Sequence, residues 1–142
     1  MQGLDPISSS DKYETYSKLM KRMNIAKKYG FHFEMCMIAY ALMEDRTSAA
    51  LRHANEKDRK SLYQKTLALK KMFENGNKAF MRSYDMNTFD EIDRWRNERN
   101  QLVHSMATMK LETEKLKTIA EDGYALSKNF SNMVTRYKRL KK

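Results

Sequence analysis

The stretch of this sequence richest in reactive side chains is Arg94-Trp95-Arg96-Asn97-Glu98-Arg99-Asn100-Gln101-Leu102-Val103-His104. On a helix, Arg96, Asn100 and His104 stand at i, i+4 and i+8 and drift only about 40° per step, so they form one polar stripe. Arg99 stands five residues before His104, about 140° around the axis, with a side chain long enough to reach forward along the groove edge. Leu102 and Val103 are expected to anchor the other face. Arginine and histidine together suit phosphoryl chemistry. An imidazole, with an ordinary pKa of about 6.5, can move a proton at neutral pH. A guanidinium is a fixed cation placed where charge builds on phosphoryl oxygens.

Other chemistries find no support. Gly3, Gly30, Gly76 and Gly123 never cluster, so there is no phosphate-cradling loop. The single cysteine, Cys36, excludes an intrachain disulfide framework, and it lies in the run Met35–Met43, the most apolar of the chain. Desolvation there suppresses the thiolate, so Cys36 is expected in the core. His32, His53 and His104 are widely spread and no HExxH occurs, so neither a metal site nor any other cofactor is expected. His53 falls near a helix C-terminus, where the dipole favours an imidazolium.

The chain has 142 residues, 28 Lys+Arg against 18 Asp+Glu, a net charge of +10, one proline and four glycines. That length suits one domain, and so few turn residues argue against sandwiches and barrels. The run Met35–Met43, bracketed by Glu34 and Glu44, is far shorter than the roughly 20 residues a bilayer span needs. The first six residues show no secretion signal, so a cytoplasmic location without membrane attachment is expected. The positive balance favours an anionic partner. Lys128, Arg136, Lys138, Arg139, Lys141 and Lys142 follow one another with no acid among them, and Lys57, Arg59, Lys60, Lys65, Lys70 and Lys71 form a second cluster. Each could be a solvated face or a surface that tracks phosphates.

The elements that must position these groups are helical throughout. Residues 1–10 read as a flexible arm, and residues 11–142 as a helical bundle with a basic tail. Asp11 and Glu14 form a capping-box pair opening a helix to about Lys28, with Gly30 as its stop. A more buried helix covers about 33–53. A third, about 61–75, ends at Gly76, and a connector over 76–87 has room for a short turn around Phe80 and Met81. Thr88-Phe89-Asp90-Glu91 is a capping box for the helix that carries Arg99 and His104. In the last helix, Leu116, Ile119, Gly123, Leu126, Phe130, Met133 and Tyr137 step by three or four, one stripe facing the bundle. The expected fold is all-α, one bundle of about five helices with a long C-terminal helix.

Arg99-Asn100-Gln101-Leu102-Val103-His104 resembles the R-x4-6-H motif of HEPN domains, including the polar residue after the arginine. A compact helical bundle with this motif on a late helix, followed by one long terminal helix, is also similar to that family. Tyr40-Ala41-Leu42-Met43-Glu44-Asp45-Arg46 resembles the early helix that faces the motif. The resemblance covers roughly residues 12–140. HEPN domains are commonly metal-independent endoribonucleases acting as dimers, so the resemblance implies Arg99 and His104 as the catalytic pair. It implies Asn100 as the polar helper and adds Glu44 by helix position. RNA supplies its own nucleophile, the 2′-hydroxyl, and the implied products are a 2′,3′-cyclic phosphate and a 5′-hydroxyl.

Arg96, Lys128, Arg136, Lys138 and Arg139 are the residues expected to bind RNA. The implied setting is a toxin or defence system, with an antitoxin or another protein as companion. Some toxin members carry a tyrosine two residues after the histidine, where they are silenced by a nucleotidyltransferase partner. Met106 stands at that position here. The rival reading is a non-catalytic basic module that binds RNA or a protein through the same stripe. A membrane-surface scaffold is least favoured, because no Trp or Phe accompanies the final basic residues beyond Phe130.

Overall fold

The computed structural model describes residues 9–108 and 113–141. Six helices make up those residues: α1 (Ser9–Tyr29), α2 (His32–His53), α3 (Leu62–Glu74), α4 (Lys78–Ser83), α5 (Met86–Ala107) and α6 (Thr113–Leu140). The fold is an all-α bundle with a long C-terminal helix. The sixth helix is the short turn of the connector, which becomes α4. None of the described helices is long and apolar enough to cross a membrane.

The helix ends follow local chemistry. Gly30 (φ +74°) and Gly76 (φ +81°) take the left-handed conformation that stops α1 and α3. Ser61, Asn77 and Asp85 cap α3, α4 and α5, each accepting a backbone N–H three residues on. Two boundaries differ from the sequence reading. The motif helix opens at Asp85, not Thr88, because the Asp85 carboxylate takes both the Thr88 amide (2.7 Å) and its hydroxyl (2.8 Å). Thr88 is then a buried residue of the first turn. At the other end, α1 is already helical at Ser9, so Asp11 lies inside it instead of capping it. Of the expected arm, residues 1–8 lie outside the described residues.

The core is layered on α2 and α6, which share the broadest interface in the molecule. From α2 come Met35, Cys36, Ala39, Leu42, Met43, Ala50 and Leu51, and from α6 Ile119, Ala120, Phe130 and Val134, all essentially inaccessible. The α6 stripe read from the sequence is the buried face, with Leu116 and Met133 half-buried at its margins. An aromatic cluster joins α4, α5 and α6. Phe80 lies 4.5 Å from Tyr84 and 5.4 Å from Tyr137, and Phe89 lies 6.1 Å from Phe130, between ring centroids.

One contact sets the rotation of the motif helix. The Trp95 indole packs against α6 at Gly123, where a Cβ would come within 2.6 Å of its ring. Its Nε1 donates to the Ile119 carbonyl at 2.8 Å. With Trp95 turned inward against α6, Arg99 one turn later faces inward too, beside α2.

Candidate functional site

Arg99 is held in an aromatic and sulfur-lined seat. Its guanidinium lies over the Tyr40 ring, 4.3 Å from the centroid, and its Nη2 points at the Met37 sulfur at 3.1 Å. Nη1 donates to Asn100 Oδ1 at 3.3 Å. The Nε atom is buried without a hydrogen-bond partner, and no carboxylate among the described residues pairs with this arginine. A guanidinium anchored by a ring face and a neutral amide keeps its charge available to an incoming anion.

His104 stands in the last turn of α5, exposed, with no side-chain partner among the described residues. Helix geometry separates it from Arg99 by about 7.5 Å along the axis and about 140° around it. The two groups therefore face different sides of one helix: Arg99 towards α2, His104 towards solvent. Asn100 is exposed and bonded to Arg99. Arg96 is turned onto Asp93, with Nε and Nη2 each 3.1 Å from one carboxylate oxygen, so its charge is already answered. Glu44 lies on the face of α2 that carries Met37 and Tyr40, one turn past Tyr40, and its side chain makes no ion pair among the described residues. Its backbone carbonyl accepts from Thr47 and from Lys65 Nζ.

Val103 corrects the sequence reading. It was expected to anchor the packed face with Leu102, but Leu102 is buried and Val103 is 38 % exposed. One turn beyond Arg99, it looks outward. Phe33 and Met37 on α2 are exposed as well, and by helix spacing they and Val103 form an apolar rim on the flanks of α2 and α5 that hold the Arg99 seat. This rim and Tyr40 were not singled out from sequence, although Phe33, Met37 and Tyr40 step by four and three along α2, the signature of one helix face.

The expected RNA-binding residues of α6 do not join the motif. Lys128 donates to the Tyr124 hydroxyl (3.2 Å), which in turn donates to Asn24 of α1 (2.7 Å). Arg136 and Arg139 are exposed and make no ion pair among the described residues. Lys138 and Lys141 gather at the C-terminus of α2, where Lys141 Nζ donates to the His53 carbonyl. His53 lies 13 residues past Tyr40 on α2, which is about 20 Å along the helix. Lys142 lies outside the described residues. In the second basic cluster, Lys65 is buried, Lys70 pairs with Asp90 (2.6 Å) and Arg59 with Glu56 (3.4 Å).

Among the described residues four groups depart from their ordinary values: burial pushes Tyr84 and Tyr137 upward in the aromatic cluster, and Cys36 and His53 are shifted as well. Burial pushes the Cys36 thiol up to about 11, only partly offset by Arg99, so it is an inert core residue as its surroundings in sequence suggest. Burial, then Arg52, Lys138, Lys141 and Arg46, pull His53 down to about 4. The expected imidazolium at the helix end is therefore absent at neutral pH, because burial, with these cations added to it, outweighs the helix dipole.

On the other flank of α5 lies an open groove of about 510 Å³ lined by Glu91, Arg94, Glu98, Asp122 and Asn129, with Trp95 at its base. Its acids exceed its cations, which suits a phosphate chain poorly. Among the described residues, no three His, Cys, Asp or Glu side chains gather as metal ligands. No protein-family model, curated protein or solved structure matches the chain.

Proposed function

We propose that this chain is a metal-independent endoribonuclease of the HEPN type, acting as a two-fold dimer in a toxin-like or defence role. The observation that carries the reading is the Arg99 seat. A guanidinium fixed over Tyr40 and against Met37, with no carboxylate among the described residues to neutralise it, is a preorganised cation for a phosphodiester. The exposed His104 supplies a proton carrier on the same helix. The exposed Phe33, Met37 and Val103 border that seat, and a second copy would cover them.

In the proposed reaction one His104 takes the proton of an RNA 2′-hydroxyl, and that oxygen attacks the adjacent phosphorus. The bond to the 5′-oxygen breaks, and the leaving oxygen takes a proton from the second His104. The products are a 2′,3′-cyclic phosphate and a 5′-hydroxyl. Arg99 holds the charge that builds on the non-bridging oxygens, and Asn100 fixes the orientation of its guanidinium. Two chains are invoked because Arg99 and His104 of one chain diverge around α5.

That same divergence favours the second reading, a non-catalytic module that binds RNA or a protein through this surface. The products decide between them. RNA incubated with the protein in EDTA is expected to yield fragments ending in cyclic phosphate and 5′-hydroxyl, read by mass. Intact RNA, or cleavage only with added divalent metal, would overturn the ribonuclease reading.

A further inference from the structure

Tyr63 is a large aromatic side chain that the core does not use. Its neighbours Leu62 and Thr66 are buried, whereas Tyr63 is 48 % exposed on the outer surface of α3. Its ring is not loose. The Arg96 guanidinium lies over it, 5.3 Å from the centroid, and Arg96 is itself fixed by the Asp93 carboxylate. The ring is thus held from α5 against the start of the stripe Arg96–Asn100–His104. That stripe is eight residues long, about 12 Å, so Tyr63 stands a short stretch of extended strand away from the motif.

The surface of α3 continues from Tyr63 into an open groove of about 800 Å³ that includes Lys57, Lys60, Leu67 and Lys71. Leu67 and Lys71 stand at i+4 and i+8 from Tyr63 along α3, so the ring borders this groove on the same helix face. Its two acids are already engaged. Glu56 pairs with Arg59, and Asp58 accepts from the Ser48 hydroxyl and the Arg59 amide. Lys57, Lys60 and Lys71 have no carboxylate partner among the described residues, and the cations of the groove outnumber its acids, so it presents net positive charge beside an exposed ring. Flat aromatic rings interleaved with cations are the chemistry of single-stranded nucleic acid. An unpaired base stacks on the ring while its phosphates lie against lysines, and a duplex has no free base face to offer.

We propose that Tyr63 is a base-stacking subsite that holds single-stranded RNA beside the Arg99–His104 motif, with Lys60 and Lys71 taking the flanking phosphates. This rests on the ribonuclease reading for its substrate, but it can fail separately. The test is binding of a short mixed-sequence single-stranded oligonucleotide lacking 2′-hydroxyls, which cannot be cut, followed by fluorescence anisotropy. Tyr63→Phe should bind like wild type, because the π-face is kept. Tyr63→Ala should bind about 5- to 150-fold more weakly, the loss expected from one stacked base. Lys60→Ala should flatten the salt dependence by about one charge. A duplex of the same sequence should not distinguish Tyr63→Ala from wild type. Equal single-strand binding by Tyr63→Ala and wild type, or no binding by wild type, would overturn the proposal. Cleavage of RNA is scored in parallel. If wild type cuts RNA and Tyr63→Ala binds and cuts equally well, the stacking subsite fails and the ribonuclease reading stands. If Tyr63→Ala loses binding but wild type cuts nothing, the subsite stands and the ribonuclease reading fails.

Discussion

The guanidinium of Arg99 lies 4.3 Å over the ring of Tyr40, so the motif cation is positioned by an aromatic face on a neighbouring helix. Tyr40 also packs 6.3 Å from the Trp95 indole, which ties this seat to the α5–α6 contact at Gly123.

Replacing Tyr40 with leucine keeps apolar bulk and removes the ring quadrupole. A cation–π contact contributes about 0.5–2 kcal/mol, so RNA cleavage by Tyr40→Leu is expected to slow by roughly 2- to 30-fold. Tyr40→Phe should retain near-wild-type rates. Single-turnover cleavage assays on the three proteins check this, and equal rates for leucine and tyrosine would remove the ring from the positioning role.

Gly123→Ala places a methyl where Trp95 Cζ2 would be 2.6 Å away, and the indole cannot retreat without losing its bond to Ile119. Overpacking of this kind costs about 1–3 kcal/mol. Thermal unfolding should show a lowered midpoint, and because Arg99 follows Trp95 on the same flank, cleavage should fall as well.

The Tyr84 hydroxyl is buried with no partner among the described residues, inside the aromatic cluster. Burial, with Tyr137 beside it, pushes its pKa upward, so it stays a neutral O–H. An unsatisfied buried polar group costs on the order of 1–3 kcal/mol. Tyr84→Phe is therefore expected to stabilise the fold, measured as a higher denaturant midpoint with unchanged slope. A destabilised variant would mean that the hydroxyl has a partner after all.

The helical class, the buried face of α6 and the core position of Cys36 were legible because each is written in local periodicity or an unbroken apolar run. The motif helix was legible too, but not its cap. Thr88-Phe89-Asp90-Glu91 has capping-box chemistry, yet Asp85 captures the Thr88 amide and hydroxyl first and starts the helix earlier. Val103 was misplaced because its burial depends on which helix stands opposite. Trp95 and Gly123 fix that rotation through a contact 28 residues apart in sequence. The charge of His53 was misread for the same reason. Its own helix end favours an imidazolium, but packing buries the ring and Lys138 and Lys141 arrive from α6.

His53 gives a pH signature. Its folded pKa, about 4, lies below the ordinary value of about 6.5, so the unfolded chain binds the extra proton in that window. This contribution to stability is complete above pH ~6.5 and is lost as pH falls towards 4. His53→Gln removes the titration while keeping a polar side chain of similar length. The fall in unfolding midpoint between pH 7.5 and pH 5 should be smaller in the variant than in wild type. An equal fall in both would show that neither burial nor the surrounding cations hold the folded His53 pKa below its ordinary value.

Arg99→Ala, Arg99→Lys and His104→Ala, compared with wild type in one RNA-cleavage assay with EDTA present, give the most direct measurement. His104 is exposed and Arg99 only half-buried, so all three variants should keep wild-type helicity by circular dichroism. Loss of positioned acid–base catalysis at His104 is expected to lower the rate by about 10²–10⁴. Both Arg99 variants should fall as well, because an ammonium does not reproduce the planar guanidinium fork over Tyr40. Folded variants that cut RNA as fast as wild type would contradict a catalytic role for Arg99 and His104.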